Sequence, residues 1–567
     1  MKKRMWHILK PDESLQKRLV AECGITPITA QLLINRNISD PREADLFLNS
    51  NLDRLHDPFL FKDMEKSVKR IKKAISQGEK IMIYGDYDVD GISGAALLER
   101  VLKDIGAHSV TYIPSRIDEG YGLNKGAVKS AHRNGVSLLI TVDCGISGKS
   151  EIEYLKKLGI PTIVTDHHKI NANSFPLDAY GVINPLQEDC HYPFKQLAGV
   201  GLAYKLAEAV TKDLSYDMIQ HLDLVCLGTI QDMVPQLGEN RIFTKHGLEA
   251  VNNTRKEGII ALIEASGLKN RTISTREVGY MLGPRINAAG RVSSAKIALN
   301  LLTTNDKCEA RELAARLDRE NRNRQRIENL ILKEAIDRVE NEVNFKDEKV
   351  IVLEGDDWHP GVIGIVASRV AERFNRPAIM IAFDEEEGRG SGRSIKNFHL
   401  FEALNECSDV LSDFGGHAAA CGLTIPRKNL DEFRLRLNSV AQQFHMAEEI
   451  APGIDIDMEI PLKMLGNRLI VELDELSPFG PGNPRPILAS RDLKLKSRPR
   501  VMRRDGIKMW VTDGNVTCEA IGFGMIDMIE DIIESESVDI AYTPSFNTWQ
   551  GLSTLQLELV DIQAHWI

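Results

Sequence analysis

Asp86, Asp88 and Asp90 stand at alternate positions behind the apolar run Lys80-Ile-Met-Ile-Tyr-Gly85, and Gly91 follows them. Two more apolar runs end in the same kind of chemistry. Ser137-Leu-Leu-Ile-Thr-Val142 meets Asp143-Cys144-Gly145, and Ile160-Pro-Thr-Ile-Val-Thr165 meets Asp166-His167-His168. Carboxylates and imidazoles gathered at strand ends can hold divalent metal ions. The carboxyl ends of strands are also where an open parallel sheet forms its ligand crevice. A fourth carboxylate, Asp232 in Thr229-Ile-Gln-Asp-Met-Val-Pro235, reads equally well as the last helical turn before a proline. Mixed Asp/His ligation suits Mn²⁺ more than Mg²⁺, which prefers an all-oxygen shell. The carboxylates suffice for two ions sharing a ligand. At about 3.5–4 Å apart, two such ions activate water and stabilise both oxygens of an in-line phosphoryl displacement.

A bland reading stands beside each cluster. Asp-x-Asp-x-Asp-Gly is often a solvated acidic turn, and it also matches part of a calcium loop. The twelfth position counted from Asp86, Asp88 or Asp90 is Leu97, Glu99 or Val101, so only Glu99 keeps a calcium reading. The apolar run before the cluster and the Ala/Leu-rich stretch after it favour a strand-to-helix elbow. Alternation along a strand would align the three carboxylates on one face, with Ser93 capping the next helix. Ser147 suits the N-cap of a helix over 147–158, which leaves Asp143 for other work. Two adjacent histidines behind an aspartate are harder to dismiss than a single one.

Downstream segments are candidates for phosphate. Gly283-Pro-Arg-Ile-Asn-Ala-Ala-Gly-Arg291 combines Arg285, Asn287 and Arg291 with a flexible backbone, read as a loop. Gly388-Arg-Gly-Ser-Gly-Arg-Ser394 offers Ser391 and Arg393, with backbone N–H groups that could form an anion nest. Gly415-Gly416-His417 is a third small-residue loop. Each alone could be a turn, but arginine's planar fork in two glycine-rich segments favours a phosphate track. Near the C-terminus, Arg491 to Arg504 is rich in cations, and Lys494, Lys496, Arg498 and Arg500 alternate as they would on one face of an extended segment. With Trp510 and Phe523 close in sequence, this is a plausible platform for a single strand of nucleic acid.

The elements that must position these residues follow from periodicity. Strands are expected near 80–85, 109–113, 137–142, 160–165 and 180–183, with helices near 93–105, 124–134 and 147–158. That alternation predicts βαβ units and a parallel sheet. Residues 196–300 read as mostly helical, with glycine loops at 199–201 and 279–290. Residues 308–343 form one charged helix with a discontinuous apolar stripe, as suits a bridge between domains. A second α/β pattern runs from Lys349 to about 440. A mainly β region follows, with strands near 468–473, 486–490, 508–512, 516–522, 538–542 and 553–561, which suggests a small barrel or sandwich. The expected domains are therefore a helical lead-in (1–75), a first catalytic domain (76–305), the connecting helix (306–345), a second α/β domain (346–450) and a β-barrel (451–567).

At 567 residues, 43% hydrophobic and 27% charged, the composition is that of a multidomain globular protein, and no apolar run approaches membrane-spanning length. The eight cysteines form no CxxC pair, which argues against a zinc ribbon or a disulfide framework and fits a reducing cytoplasm. A net charge of −10 argues weakly against general nucleic-acid binding, but local patches decide that.

Tyr84-Gly-Asp-Tyr-Asp-Val-Asp-Gly91, Val142-Asp-Cys-Gly145, Thr165-Asp-His-His168 and Gly228-Thr-Ile-Gln-Asp-Met-Val-Pro235 resemble the four motifs of the DHH phosphoesterases. Gly390-Ser-Gly-Arg-Ser394 and Phe414-Gly-Gly-His417 resemble the DHH-associated domain. Trp358-His-Pro-Gly-Val-Ile-Gly364, the 283–291 segment and the extra C-terminal domain resemble the RecJ branch, where that domain is an OB-fold. The resemblance implies two α/β catalytic domains joined by a long helix, plus a C-terminal OB-fold-like barrel. It implies a 5′ to 3′ exonuclease specific for single-stranded DNA, releasing nucleoside 5′-monophosphates with two Mn²⁺ or Mg²⁺ ions. Carried over, Asp86, Asp88, Asp90, Asp143, His167 and Asp232 would be metal ligands, with His168 beside the attacking water or the phosphate. Arg285, Ser391, Arg393 and His417 would bind phosphates of the strand. Family analogy adds single-strand-binding protein and helicases as partners in repair and recombination, for a monomer in the cytoplasm. Two rivals are weighed: a phosphoesterase of the same superfamily acting on an oligoribonucleotide, cyclic dinucleotide or pyrophosphate, and a non-catalytic replication scaffold. The third domain argues against the first rival, and the intact acidic clusters argue against the second.

Overall fold

Three of the apolar runs that precede the acidic clusters are buried on both faces, which is the environment a parallel sheet covered by helices provides. The structure, a computed structural model, describes residues 4–116, 119–443, 453–502, 505–549 and 552–566. In it five parallel strands lie in the order Ser109–Tyr112, Ile81–Gly85, Leu138–Val142, Thr162–Thr165, Gly181–Ile183. From Ile81–Gly85 the chain crosses to one side, through helix Val89–Asp104, and then back to Leu138–Val142 on the other. The order therefore reverses beside Gly85 and Val142, and the crevice opens there, at Asp86 and Asp143.

The chain divides into two compact units. One comprises His56–Asp232 and Gly247–Glu448 and holds both α/β patterns. Helix Lys307–Glu342 runs through it as the bridge expected from its pattern. Ala310, Ala314 and Leu317 are buried in its first half, and Ile331, Ala335 and Val339 join the core of the second α/β region. That region is a mixed sheet in the order Asp413–Gly416, Ala420–Pro426, Glu387–Arg393, Ala378–Asp384, Ile351–Gly355. The other unit comprises the chain up to Leu55, Met233–His246 and the C-terminal strands. Its barrel runs Met458–Glu459, Leu488–Met502, Gly506–Thr512, Thr517–Gly522, Leu552–His565, Ser537–Trp549 and closes by pairing Leu488–Met502 with Ser537–Trp549. The lead-in expected over 1–75 is divided. Strand Met5–Ile8 pairs with Gly453–Ile456 and helix Pro27–Asn35 shares the barrel unit's core, whereas helix Met64–Ser76 belongs to the catalytic unit.

Several local expectations are corrected. The loop expected at 283–291 is the helix Gly283–Val292, preceded by a π-helical turn at Val278–Leu282. Gly199–Gly201 open the helix Gly199–Thr211 rather than forming a loop. The Gly388–Ser394 segment forms no anion nest. Strand Glu387–Arg393 is paired on both sides, so its backbone N–H groups are engaged in the ladder. The strand expected at 468–473 is the helix Asn467–Glu475. Helix Lys149–Lys157 starts at Gly148 with no side-chain cap, so Ser147 does not cap it.

Candidate active site

The acidic residues converge through the first turn of a helix, not along a strand. The strand ends at Gly85, Asp88 becomes the N-cap of helix Val89–Asp104 by accepting from Gly91 N at 3.1 Å, and Asp90 lies in that helix's first turn. The expected strand alignment of Asp86, Asp88 and Asp90 is therefore replaced by a tighter curl. Both oxygens of Asp90 accept from the N-terminus of helix Gly199–Thr211, at 2.6 Å from Gly199 N and 2.8 Å from Val200 N. A Cβ on Gly199 would lie 2.6 Å from Asp143, so glycine is what lets this helix approach so closely.

His167 Nε2 lies 3.1 Å from Asp143 Oδ1 and 3.5 Å from Asp232 Oδ2. Asp232 is the C-cap of helix Leu222–Gln231, as its helix-end reading expected, and its carboxylate also faces His167. Three ligand sets have their donor atoms within 4.8 Å of one another: Asp143, His167 and His168; Asp90, His167 and Asp232; Asp86, Asp88 and Asp143. Asp143 and His167 each belong to two sets, as a pair of ions with shared ligands would require. Burial pushes the Asp143 and Asp86 carboxyls well above their usual range, reinforced by Asp90 and Asp88 respectively. Burial and Asp88 push Asp90 up to about 7, and burial and Asp90 push Asp232 up to about 9. Burial and His168 pull His167 down to about 4, so its ring is neutral and can donate a lone pair.

The donor set fits a divalent cation on direct grounds. Asp86 Oδ1, Asp143 Oδ1, His167 Nε2 and Asp232 Oδ2 are all buried without a hydrogen-bond partner. Leaving such groups unsatisfied costs about 1–3 kcal/mol each, and crowded carboxylates repel one another. A cation answers both at once.

His168 is oriented by Asp166, which the sequence placed beside it without a role, and by Tyr121, which sequence reasoning passed over. Asp166 accepts from His168 Nδ1 at 2.8 Å and from the His168 and Ile146 backbone N–H groups at 3.0 and 2.8 Å. Burial pulls His168 down, but its bond to Asp166 and the charges of Asp166, Asp90 and Asp86 together outweigh that and raise it. Tyr121 OH lies 3.1 Å from the same ring nitrogen and donates toward the Asp143 carbonyl at 3.2 Å. Only Asp166 had a signal, its place directly before the histidines. Tyr121 had none.

The expected phosphate residues divide. Ser391 and Arg393 share one face of their strand, with Arg393 Nη1 donating to Ser391 Oγ at 3.1 Å. Both pack on the first turn of helix Ile363–Phe374, where a Cβ on Gly364 would lie 2.9 Å from Ser391 Oγ and 3.2 Å from Arg393 Nη2. Arg291 joins this positive cluster. Burial and the charges of Arg116, Arg324 and Arg393 pull its guanidinium down to about 9. Burial and Arg116 pull Arg393 down as well. Arg116, which sequence reading did not single out, sits 5.1 Å over the Tyr87 ring beside the acidic cluster. His417 is exposed on the hairpin turn next to Arg393's strand. Arg285 and Asn287 turn inward instead. Arg285 pairs with Asp318 at 3.0 Å and donates to the Met281 carbonyl. The Asn287 amide accepts from Val89 N and faces Gln231.

In the barrel unit, Lys494, Lys496, Arg498 and Arg500 are all exposed. The strand's register shifts between Leu495 and Ser497 and again between Ser497 and Arg500, so strict alternation is not kept. Exposed Trp510 pairs with Ser497 across the ladder. Arg503 and Arg504 lie outside the described residues.

Family models agree with this organisation. The N-terminal domain of the DHH family matches residues 80–229, the DHHA1 domain 347–443 and the RecJ OB domain 456–561. The single-stranded-DNA-specific exonuclease RecJ of Bacillus subtilis is 39% identical over 99% of this chain and 71% of its own length. The Haemophilus influenzae RecJ is 33% identical, with 94% and 96% covered. The crystal structure of Thermus thermophilus RecJ in complex with Mn²⁺ superposes with a TM-score of 0.85 at 28% identity, covering 99% of this chain and 80% of that one. The chain belongs to the RecJ family of single-stranded-DNA-specific exonucleases of the DHH phosphoesterase type.

Proposed function

We propose that this chain hydrolyses single-stranded DNA from the 5′ end, releasing nucleoside 5′-monophosphates. The observation that carries the chemistry is the convergence of four buried, unpartnered ligand atoms on one crevice. Asp86, Asp88, Asp90, Asp143, His167 and Asp232 would hold two Mn²⁺ or Mg²⁺ ions. When bound, such ions lower the pKa of water and stabilise charge on the transferring phosphoryl group. The protein's own residues do the rest. Asp166 holds His168 so that its remaining ring nitrogen faces the water or a phosphate oxygen. Water attacks phosphorus, the P–O3′ bond breaks, and the shortened strand keeps a 5′-phosphate. Arg116, Arg291, Ser391 and Arg393 would grip phosphate at the 5′ end, with the N-terminus of helix Ile363–Phe374 adding its dipole. Arg285 and Asn287 support the walls of the crevice rather than the phosphate. His417 would contact the strand as it passes the hairpin.

Lys494, Lys496, Arg498 and Arg500 would hold the trailing strand on the barrel. The domain limits proposed are those read from sequence, except that residues up to 55 and Met233–His246 go with the barrel unit. No helix among the described residues is long and apolar enough to cross a membrane. By family analogy the proposal extends to a cytoplasmic monomer cooperating with single-strand-binding protein and a helicase. The test is Mn²⁺-dependent digestion of single strands labelled at either end. Mononucleotide should appear at once from the 5′ label only. Immediate release from the 3′ label would reverse the polarity, and cleavage of pyrophosphate or dinucleotides alone would move the chain to a small-substrate role.

A further inference from the structure

The loop between strand Ser109–Tyr112 and helix Lys125–Arg133 delivers two side chains to the site from opposite ends. Arg116 goes to the phosphate cluster and Tyr121 to His168. Glu119 lies between them and reaches neither. Its carboxylate instead collects three donors. Oε1 accepts from Tyr112 OH at 2.7 Å and Asn124 Nδ2 at 2.9 Å, and Oε2 accepts from Ser115 N at 2.7 Å. The Glu119 backbone N–H also donates to the Ser115 carbonyl at 2.9 Å, so the turn that carries Arg116 is closed from both sides of one residue.

The donors are themselves anchored. Asn124 is the N-cap of helix Lys125–Arg133, accepting from Ala127 N at 2.7 Å, and it also donates to Tyr84 OH at 3.1 Å. Tyr84 donates to the Gly122 carbonyl at 2.9 Å and stacks on Tyr112. Tyr84 stands on strand Ile81–Gly85, two residues before Asp86. One carboxylate thus ties the loop to the edge strand, to the strand that feeds the acidic cluster, and to the next helix. Charge-assisted bonds of this kind are shorter and about twice as strong as neutral ones, and three on one carboxylate hold Tyr112, Ser115 and Asn124 to Glu119.

We infer that Glu119 is a positioning residue that sets Arg116 against the 5′-end phosphate. The inference rests on the reading of Arg116 given above. Without the clamp, Arg116 must be ordered by the substrate itself, and that cost falls on binding rather than on the chemical step.

The test is steady-state hydrolysis of a 5′-phosphorylated single strand by the full chain with Mn²⁺. Glu119→Ala should raise KM about tenfold, with kcat within about threefold of the parent, as loss of uniform binding requires. Glu119→Gln keeps the acceptor for Tyr112 and Asn124 and should fall between the two. Combining Glu119→Ala with Arg116→Ala should raise KM no further than Arg116→Ala alone, because both act through one group. A purely architectural role would lower melting temperature and active fraction while leaving KM unchanged. If Arg116→Ala raises KM and Glu119→Ala does not, or if the two effects multiply, the inference is overturned and the Arg116 reading stands. If Arg116→Ala leaves KM unchanged, both are overturned. Should Glu119→Ala fail to fold, Glu119→Gln and Tyr112→Phe carry the same comparison with fewer bonds removed.

Discussion

Asp143 has a left-handed backbone, φ 61°, which an aspartate tolerates better than most residues but still at a cost. The turn aims its carboxylate back over the strand ends, where Oδ1 is buried with no hydrogen-bond donor. A group held this way in the folded chain destabilises it until a cation arrives. Asp143→Asn should therefore lose most turnover, yet melt no lower than the parent when metal is withheld. The parent should gain about 2.7 kcal/mol of stability at Mn²⁺ a hundredfold above Kd, and the variant much less. A sharp drop in the metal-free melting temperature of Asp143→Asn would mean that the carboxylate serves the fold instead. Asp86, Asp143 and His167 were legible because polar ligands directly behind apolar strands are a local pattern. Asp232 was ambiguous because its helix-ending and site-facing roles coincide. Arg116, Glu119 and Tyr121 were not legible, because what they do depends on partners in other elements, such as His168 for Tyr121.

Among the elements, parallel strands and the long helix follow from periodicity, and several of the errors fall on glycine-rich segments, the helix Asn467–Glu475 read as a strand being an exception. Glycine marks either a turn or a close approach, and sequence alone does not say which. Gly283 is the second kind. It opens a helix pressed on the end of helix Leu222–Gln231, and a Cβ there would lie 2.0 Å from the Gln231 side chain. Gln231 cannot swing aside freely, since its amide donates to the Val278 and Gly279 carbonyls of the π-helical turn at 3.0 Å each. It also precedes Asp232 directly. Gly283→Ala should cost about 1–3 kcal/mol, the usual penalty of overpacking, and should lower turnover by shifting Asp232. Truncating the obstacle in Gly283→Ala/Gln231→Ala should recover part of the stability in a urea titration. Equal destabilisation with and without Gln231 would place the strain elsewhere. The strand Glu387–Arg393 misled in the opposite direction. Its glycines pack under Leu423, Leu400 and Ile381 in a paired sheet, so the backbone contributes no nest and only the Ser391 and Arg393 side chains are left to meet a phosphate.

For the molecule as a whole, a net charge of −10 conceals how charge is distributed. The acidic excess includes the carboxylates that converge on the crevice, while Lys494, Lys496, Arg498 and Arg500 crowd onto one barrel strand beside Trp510. The barrel also draws on distant sequence. Leu32, Leu33 and Phe47 share its core with Leu488 and Tyr542, and Arg241 donates to the Phe47, Leu476 and Glu475 carbonyls. No periodicity in residues 1–55 foretold this, because a helix's apolar face does not name its partner. Cations on such a surface bind phosphates by releasing condensed counterions, which makes affinity fall linearly on a log–log plot against salt, by about 0.7 per phosphate neutralised on a single strand. Arg498→Ala should weaken binding of a long single strand and flatten that slope by about 0.7. Because Arg498 is remote in role from the acidic crevice, kcat at saturating DNA should hold. Binding isotherms at four or five salt concentrations decide it: a slope that stays put removes Arg498 from the strand's path, and a fall in kcat at saturation would mean that the barrel helps to set the scissile phosphate, not only to retain the strand.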